Sequence, residues 1–146
     1  MPIGRSPRGE GGFEPIKLAP DDKIRRVVMC SGKVYYDLYE EREKRGINDV
    51  YLLRIEQLYP WPHKAIIQEL QRFKGAEMVW CQEEPYNMGA WSFVQPNIER
   101  ALEYLQAKHT RPRYVGRGAS AATATGLLSK HLKEMKQFLD EALGEK

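Results

Sequence analysis

The sequence has little of what marks a membrane, disulfide-rich or nucleic-acid-binding protein. Its longest apolar runs are strand-sized pieces such as VVMC and VYLL, far below the roughly 20 residues that a membrane-spanning helix needs. Its two cysteines, Cys30 and Cys81, each end an apolar run without C-x-x-C spacing, so we expect buried reduced thiols. The 23 Lys and Arg residues are interspersed with 20 Asp and Glu residues, which argues against a nucleic-acid or membrane partner. We therefore expect a soluble cytosolic domain.

The chain also lacks a recognisable catalytic or metal-binding set. The three histidines, His63, His109 and His131, have no companion at the spacing of metal ligands. No Ser, Cys or His arrangement suggests a nucleophile with its base. We therefore expect no catalytic, cofactor-binding or metal-binding residues in this chain.

The 146 residues fit one domain preceded by a short lead-in. Residues 1–12 are rich in Gly, Pro and Arg, and we expect them to be disordered, with the domain spanning 13–146. From residue 25 onward, short β-branched runs alternate with helix-length amphipathic segments, a pattern typical of an α/β fold with a parallel sheet. The predicted strands are Arg26 to Cys30, Val50 to Ile55, Glu77 to Cys81 and Arg113 to Val115.

A helix is predicted after each strand. The first, Lys33 to Arg45, should end at Gly46 and carry an ion pair between Glu41 and Arg45. The second should begin after Pro62. The third, from about Ala90 to Leu105, contains Pro96, where we expect a kink or a restart. The last has one apolar stripe, which predicts packing on the sheet or, alternatively, a seam with a partner helix; the stripe comprises Leu128, Leu132, Met135, Leu139 and Ala142.

Polar residues cluster directly after the predicted strands, where ligands bind in open parallel sheets. The turn Ser31-Gly32-Lys33 opens a helix, and its backbone N–H groups would favour an anion; alternatively, Ser31 is only a helix cap. The candidate effector-binding residues are Ser31, Lys33, Arg54 and Arg117. Adjacent carboxylates point to opposite sides of an extended chain, so Glu83 and Glu84 suit an acid–base pair poorly. With Glu56 they are expected to form an ion-pair network with Arg54 or Arg117.

Four long segments, in order, carry a resemblance to a known family. They are CSGKVYYDLYEERE, LLRIEQLYPWPHKAI, VWCQEEPYNMGAWSFVQP and RPRYVGRGASAATATGLLSKHL. Over roughly residues 13 to 143 the chain resembles the C-terminal domain of the decarboxylating component of 2-oxoglutarate dehydrogenase. The last loop departs from the usual family pattern at Gly118, Ala122 and Thr123, where Pro, Ser and Pro are typical.

The resemblance implies a fold and a much longer parent protein. The implied fold is a three-layer α/β/α sandwich with a mostly parallel five-stranded sheet, like the C-terminal domain of transketolase, with the fifth strand near Ile16 to Leu18. The implied chemistry is decarboxylation of 2-oxoglutarate on thiamine diphosphate with magnesium, followed by succinyl transfer to lipoamide. This chain lacks the usual Gly-Asp-Gly motif with a downstream Asn that holds that cofactor, so we expect the piece alone to be inactive.

Two interpretations of what the domain contributes remain open. In the first, it is an assembly domain whose partners are the rest of its own longer chain, a second copy in a homodimer and the dihydrolipoamide succinyltransferase of the complex. The aromatics Tyr59, Trp61, Trp91 and Phe93 would then be exposed or interfacial. In the second, it is a regulatory module that binds an anion such as a nucleotide or acyl-coenzyme A. The expected location is the bacterial cytoplasm, or the mitochondrial matrix in a eukaryote.

Overall fold

Strands and helices alternate along the chain. The computed structural model describes residues 3–4, 18–56, 60–85, 89–117 and 128–144. The strands of this part are β1 (Ile3–Gly4), β2 (Arg26–Cys30), β3 (Val50–Ile55), β4 (Glu77–Pro85) and β5 (Arg113–Arg117). The helices are α1 (Val34–Arg45), α2 (His63–Leu70), α3 (Trp91–Leu105) and α4 (Leu128–Leu143), and short 3₁₀ turns lie at Asp21–Lys23 and Gln71–Phe73.

The sheet has the order β1-β3-β2-β4-β5. Strands β2 to β5 are parallel, which confirms the predicted alternation, and β4 and β5 run further than predicted. The two residues of β1 pair antiparallel with Arg54 and Ile55 at the edge of β3. The fifth strand expected near Ile16 to Leu18 is not described there: residues 16 and 17 lie outside the described part, and Leu18 belongs to no strand. The rest of the predicted lead-in also lies outside the described residues.

Both faces of the sheet are covered, because neighbouring residues of a buried strand point to opposite sides. Val27 and Met29 face the layer formed by α2 and α3, whereas Val28 and Cys30 face the layer formed by α1 and α4. The near-continuous apolar composition of β2 and β3 follows from this burial on two sides. The described helices and strands thus form the predicted three layers.

Helix ends follow the local chemistry of the sequence. Gly46 takes the left-handed conformation, with φ of 68°, and its N–H bonds to carbonyls of the last turn of α1, as predicted. The predicted pair forms in the same helix, where Arg45 Nε lies 2.7 Å from Glu41 Oε2. Helix α3 runs through Pro96 without the restart that the proline suggested. Its neighbours Val94 and Ile98 are fully buried, and this packing outweighs the one missing donor.

The C-terminal end of α4 is held by two adjacent arginines, Arg26 at the start of β2 and Arg25 just before it. Arg26 is 3% exposed, and its Nη1 donates to the carbonyl of Ala142 at 2.8 Å while its Nε donates to Glu77 Oε1 at 2.9 Å. Arg25 donates to the carbonyl of Leu143 at 3.2 Å. The last carbonyls of a helix have no partner within it, so these side chains complete its hydrogen bonding.

The apolar stripe of α4 packs on the sheet, which confirms the first of its two predicted arrangements. Phe138, Leu139 and Ala142 are buried on the face of the sheet formed by β4 and β5, and Met135 is partly buried there. The side chains of Leu128 and Leu132 lie outside the described part. None of the described helices is long and apolar enough to cross a bilayer.

Both thiols are buried, as predicted. Cys30 and Cys81 are free cysteines with no exposed surface, and they belong to the same apolar cluster beneath α1 and α4. Burial raises the pKa of each thiol well above its ordinary value, because a thiolate loses its hydration there. The cysteines therefore act as small apolar core residues.

Candidate functional site

The connections of the sheet open a crevice between β2 and β4. The chain leaves β2 toward α1 on one face and leaves the neighbouring strand β4 toward α3 on the other face. Loops that depart to opposite faces separate at the carboxyl ends of their strands, and this is where open α/β sheets bind ligands. The topology alone therefore places a candidate site at the ends of β2 and β4.

A cleft of about 630 Å³ lies at this position. Its lining comes from the turn after β2, the end of β4 and the start of α3: Ser31, Gly32, Trp80, Gln82, Glu84, Gly89, Ala90 and Phe93. Helices α1 and α3 both begin beside it, so their N-terminal N–H groups lie near the cleft. The lining also carries the exposed carboxylate of Glu84, which opposes an anion.

A bulge in β4 shapes the floor of the cleft. Cys81 pairs with Val115 and Pro85 pairs with Arg117, so three residues of β4 lie opposite Gly116 alone. A Cβ atom on Gly116 would lie 2.5 Å from the backbone oxygen of the facing strand. Only glycine permits this approach without displacing the backbone.

Gln82, the first residue of the bulge, is buried and its carboxamide is fixed from two sides. Its Oε1 accepts a hydrogen bond from the indole N–H of Trp80 at 2.9 Å, and its Nε2 donates to the carbonyl of Glu84 at 3.3 Å. Gly89 lies against it with φ of 72°, and a Cβ there would come within 3.0 Å of the carboxamide. The cleft therefore has a rigid polar floor and a turn that requires glycine.

Lys33, one of the predicted anion-binding residues, is held by carboxylates of its own chain. Its Nζ lies 3.1 Å from Glu83 Oε1 and 3.9 Å from Asp37 Oδ2. The hydrogen bond to Glu83 raises the pKa of Lys33 above its ordinary value. Burial raises the pKa of Asp37, whose buried Oδ2 accepts no hydrogen bond from the described residues. Ser31 does not cap α1, because the helix begins after Lys33 without a side-chain cap.

Arg54, at the end of β3, is also engaged. Its Nη1 donates to the Tyr36 hydroxyl at 2.7 Å, and its Nε lies 3.1 Å from Glu56 Oε2. The guanidinium stacks on the ring of Tyr35, with 4.7 Å between its carbon and the ring centre. Nothing in the sequence singled out Tyr36 as a partner of Arg54, because the pairing depends on how α1 packs beside β3.

The predicted residues thus divide into three groups. Ser31 and Glu84 line the cleft, whereas Lys33, Arg54 and Glu56 lie along the same carboxyl edge in ion pairs. The side chain of Arg117 lies outside the described residues. Glu83 pairs with Lys33, which lies just after the neighbouring strand, and its expected pairing with Arg117 stays a prediction.

The four aromatic residues expected to be exposed or interfacial differ in how far they are buried. Trp91 is buried, Trp61 is half-buried, and Phe93 is 40% exposed. Trp61 and Phe93 make an edge-to-face contact with 6.1 Å between ring centres. Tyr59 lies outside the described residues. Within the described ranges, no three metal-binding side chains lie close enough together to hold an ion.

A three-layer α/β domain with a crevice between β2 and β4 belongs to the large class of open-sheet domains, which carry many functions. Comparison with known proteins narrows this class. The family model described as 2-oxoglutarate dehydrogenase C-terminal matches residues 12–143, and the chain belongs to this family. The resemblance found in the sequence is thereby confirmed.

Curated relatives carry the name 2-oxoglutarate dehydrogenase E1 component. Those of Brucella anthropi and Brucella ovis are each 70% identical over 131 residues, which cover 90% of this chain and 13% of the relative. The protein of Brucella abortus strain S19 is 70% identical over 129 residues, or 88% of this chain and 13% of the relative. The chain therefore corresponds to a small part of these enzymes.

Proposed function

We propose that this chain is the C-terminal domain of a 2-oxoglutarate dehydrogenase E1 component and supplies assembly contacts instead of catalytic groups. The observation that carries the proposal is the 70% identity to a segment that makes up only 13% of the E1 component of Brucella anthropi. The cations at the carboxyl edge support it, because Lys33 and Arg54 are paired with carboxylates of the same chain. Such a structural ion-pair network is the alternative to a catalytic role for charged groups beside a cleft.

The cofactor and partners follow from the same proposal. Thiamine diphosphate with magnesium would supply the carbanion chemistry of the whole enzyme. The described residues do not fit that group, because no set of three metal-binding side chains lies together among them. We therefore assign the cofactor to the larger remainder of the polypeptide, which with a second copy and the dihydrolipoamide succinyltransferase forms the proposed set of partners. The proposed location is the bacterial cytoplasm or the mitochondrial matrix.

The proposal is tested by exchanging domains. The 146-residue chain replaces the matching 131 residues of the Brucella anthropi E1 component, and the fusion is compared with the same E1 component lacking those residues. We expect the fusion to consume 2-oxoglutarate with thiamine diphosphate and magnesium, and to form the same oligomer as the parent. Turnover by the 146-residue chain alone, or full activity of the shortened E1 component, would overturn the proposal.

A second candidate function is the binding of an anionic effector such as a nucleotide or acyl-coenzyme A. The observation that favours it is the cleft between β2 and β4, beside which α1 and α3 both begin. Backbone N–H groups at helix N-termini attract phosphate. The test titrates the fusion with AMP and with acetyl-coenzyme A, in the wild type and in Lys33→Gln.

Lys136→Gln is the matched control for this titration. The Lys136 and Lys33 side chains are 74% and 72% exposed, and both pair with aspartates four residues further on. Saturable binding that weakens in Lys33→Gln but not in Lys136→Gln would support an effector site. Equal binding in all three proteins, or none at all, would leave the assembly function alone.

A further inference from the structure

We infer that the amino edge of the sheet carries a docking surface for an acidic segment of a separate polypeptide. The surface comprises Lys74, Tyr104, Lys108, Arg111 and Arg113, and we call it the amino-edge patch. It lies at the end of the strands opposite the cleft, because its residues come from the turn before β4, the end of α3 and the chain that leads into β5. The inference concerns a different surface from the cleft and does not depend on the proposed assembly function.

The fold gathers cations that are distributed along the sequence. Lys74 precedes β4, whereas Lys108 and Arg111 precede β5, and these two strands are neighbours in the sheet. The backbone N–H of Lys108 donates to the carbonyl of Lys74 at 2.8 Å, which joins the two connections. Glu77 lies three residues after Lys74, and its Oε2 lies 2.9 Å from Arg113 Nε. Because three residues of chain span at most about 11 Å, the four cations lie close together.

Arg113 is oriented before any partner binds. Its Nε donates to one oxygen of Glu77, and the buried Arg26 donates to the other oxygen, each at 2.9 Å. The carboxylate is fixed from both sides and in turn restricts the guanidinium of Arg113. Among the described residues, the two Nη groups of Arg113 have no acceptor. They remain available to a carboxylate, and a group held in advance loses less freedom on binding.

The other three cations of the amino-edge patch are also available to a partner. The side chains of Lys74, Lys108 and Arg111 are exposed, and in the part of the chain that the structure describes none of them pairs with a carboxylate or donates to a carbonyl. Arg25 and Arg26, at the same edge, instead bind the last carbonyls of α4. Cations near helix ends commonly bind such carbonyls, but these three bind none. Their charge is therefore left for an anionic partner.

Tyr104 adds an apolar contact at the same edge. It lies in the last turn of α3 and is 73% exposed, more than any other large hydrophobic residue of the described part. Gln106 ends the helix in the left-handed conformation, with φ of 56°, where glycine is usual. The hydrogen bond that ties Lys108 to the turn before β4 follows directly. A single exposed aromatic is common on protein surfaces, but tyrosine together with arginine is typical of the residues that contribute most to interfaces.

The distribution of charge fits an acidic polypeptide better than a nucleic acid. Glu103, in the last turn of α3, and Glu141, near the end of α4, are exposed at the same edge. A nucleic acid carries a regular row of phosphates, and some of them would lie against these carboxylates. A polypeptide can place carboxylates opposite the cations only, with an apolar side chain against Tyr104.

A second copy of this chain is a poor partner for the same surface. In a two-fold symmetric contact the same patch lies on both sides of the interface. The cations of the amino-edge patch would then face one another, and like charges across an interface oppose binding. The partner that fits is therefore a different polypeptide with an acidic segment.

Fluorescence anisotropy tests the proposal with two labelled probes. One is a peptide with the repeat Glu-Ser-Glu-Leu, and the other is single-stranded oligothymidylate of equal net charge. We expect the 146-residue chain to bind the peptide saturably, more tightly than it binds the oligonucleotide, and more weakly as salt is added. Tighter binding of the oligonucleotide, or no saturable binding of the peptide, would overturn the proposal.

Two double variants of equal net charge locate the binding. Lys108→Gln with Arg111→Gln removes two cations of the amino-edge patch, and Lys44→Gln with Lys64→Gln removes two from α1 and α2. All four side chains are exposed and none has a carboxylate partner among the described residues, so both variants should melt like the wild type. We expect the first pair to weaken peptide binding at least severalfold and the second to leave it nearly unchanged. Equal weakening by both pairs would show attraction by net charge alone and reject the surface.

Tyr104→Ser separates a docking surface from charge attraction. It should weaken peptide binding severalfold while the dependence on salt stays the same, because it removes an apolar contact and no charge. Binding equal to that of the wild type would contradict the proposed surface.

The chain fused to the remainder of the Brucella anthropi E1 component shows whether the edge stays accessible. We expect Lys108→Gln with Arg111→Gln to weaken peptide binding by the fusion as it does in the isolated chain. A fusion in which this pair has no effect would show that the remainder covers the amino edge, and a separate partner would be excluded. An inactive fusion would count against the assembly function alone, since binding by the isolated chain does not depend on turnover.

Discussion

Replacing Arg26 by methionine should detach the end of α4 from the sheet. The buried guanidinium joins β2 to the carbonyl of Ala142 and to Glu77. Methionine fills the space of its apolar stem but donates nothing, so both groups lose a charged donor. Hydrogen bonds of charged groups contribute roughly 1.5 to 3 kcal/mol each. Because the Glu77 side chain is partly exposed and keeps Arg113, which donates at 2.9 Å, we expect a loss near the lower limit for the two bonds, about 3 kcal/mol.

Arg113→Met is the matched control for this prediction. Arg113 binds the other oxygen of the same carboxylate, but its side chain is 43% exposed, whereas that of Arg26 is 4% exposed. An exposed pair contributes about 0.2 to 1 kcal/mol, so this variant should be only slightly destabilised.

Urea unfolding followed by circular dichroism gives both free energies of unfolding, and hydrogen exchange locates the change. We expect amides of residues 136–144 to exchange faster in Arg26→Met while those of α3 remain protected. Equal free energies of unfolding for the two variants would refute the reasoning, because burial would then not distinguish the arginines.

Three further predictions concern the core and the cleft. Burial alone would raise the pKa of Glu77, but its two arginine partners outweigh this and hold the pKa below its usual value. The ionised Glu77 carboxylate therefore stabilises the fold fully above the unfolded-state pKa of roughly 4.3, and this stabilisation is lost as pH falls through the folded-state pKa. The difference in unfolding free energy between wild type and Glu77→Gln should shrink in acid, and a difference independent of pH would contradict this. Gly116→Ala should destabilise the domain by about 1 to 3 kcal/mol, because the added Cβ overpacks against the facing strand. Gly75→Ala is the control, since a Cβ there meets nothing within 4 Å. Equal melting temperatures of the two variants would contradict the close approach of the strands at the bulge. Cys30 and Cys81 should resist iodoacetamide at pH 8 in the folded protein and react in urea, since burial raises both pKa values; fast labelling of the folded protein would show that the strands open readily.

Much of the layered fold could be predicted from the sequence, because its signals are local. Each of these signals involves only a few neighbouring residues, and each predicted the boundary of an element to within a residue or two. They are the apolar runs of β2 and β3, Gly46 at the end of α1, and Pro62 before α2. Helix α3 runs through Pro96 without a restart because buried neighbours on either side of it hold the helix together. A local rule cannot include that packing.

The site was predicted only as far as its position at the ends of the strands. Ser31 and Glu84 were found because they follow apolar runs, but the pairing of Lys33 with Glu83 depends on β2 and β4 being neighbours. The bulge opposite Gly116 depends on the register between two strands. Strand order and register arise from contacts between distant segments, which one sequence does not reveal.

The hydrogen bond between Arg26 and the end of α4 has a consequence for how the domain folds during synthesis. The hydrogen bond from Arg26 to the carbonyl of Ala142 spans 116 residues of chain. Until α4 has been synthesised, the apolar face of β4 and β5 that it covers stays accessible, and the guanidinium lacks this acceptor. Such distant contacts form late, since the loop must close before they contribute. The nascent domain should therefore depend on protection of that face until residue 144 has been released.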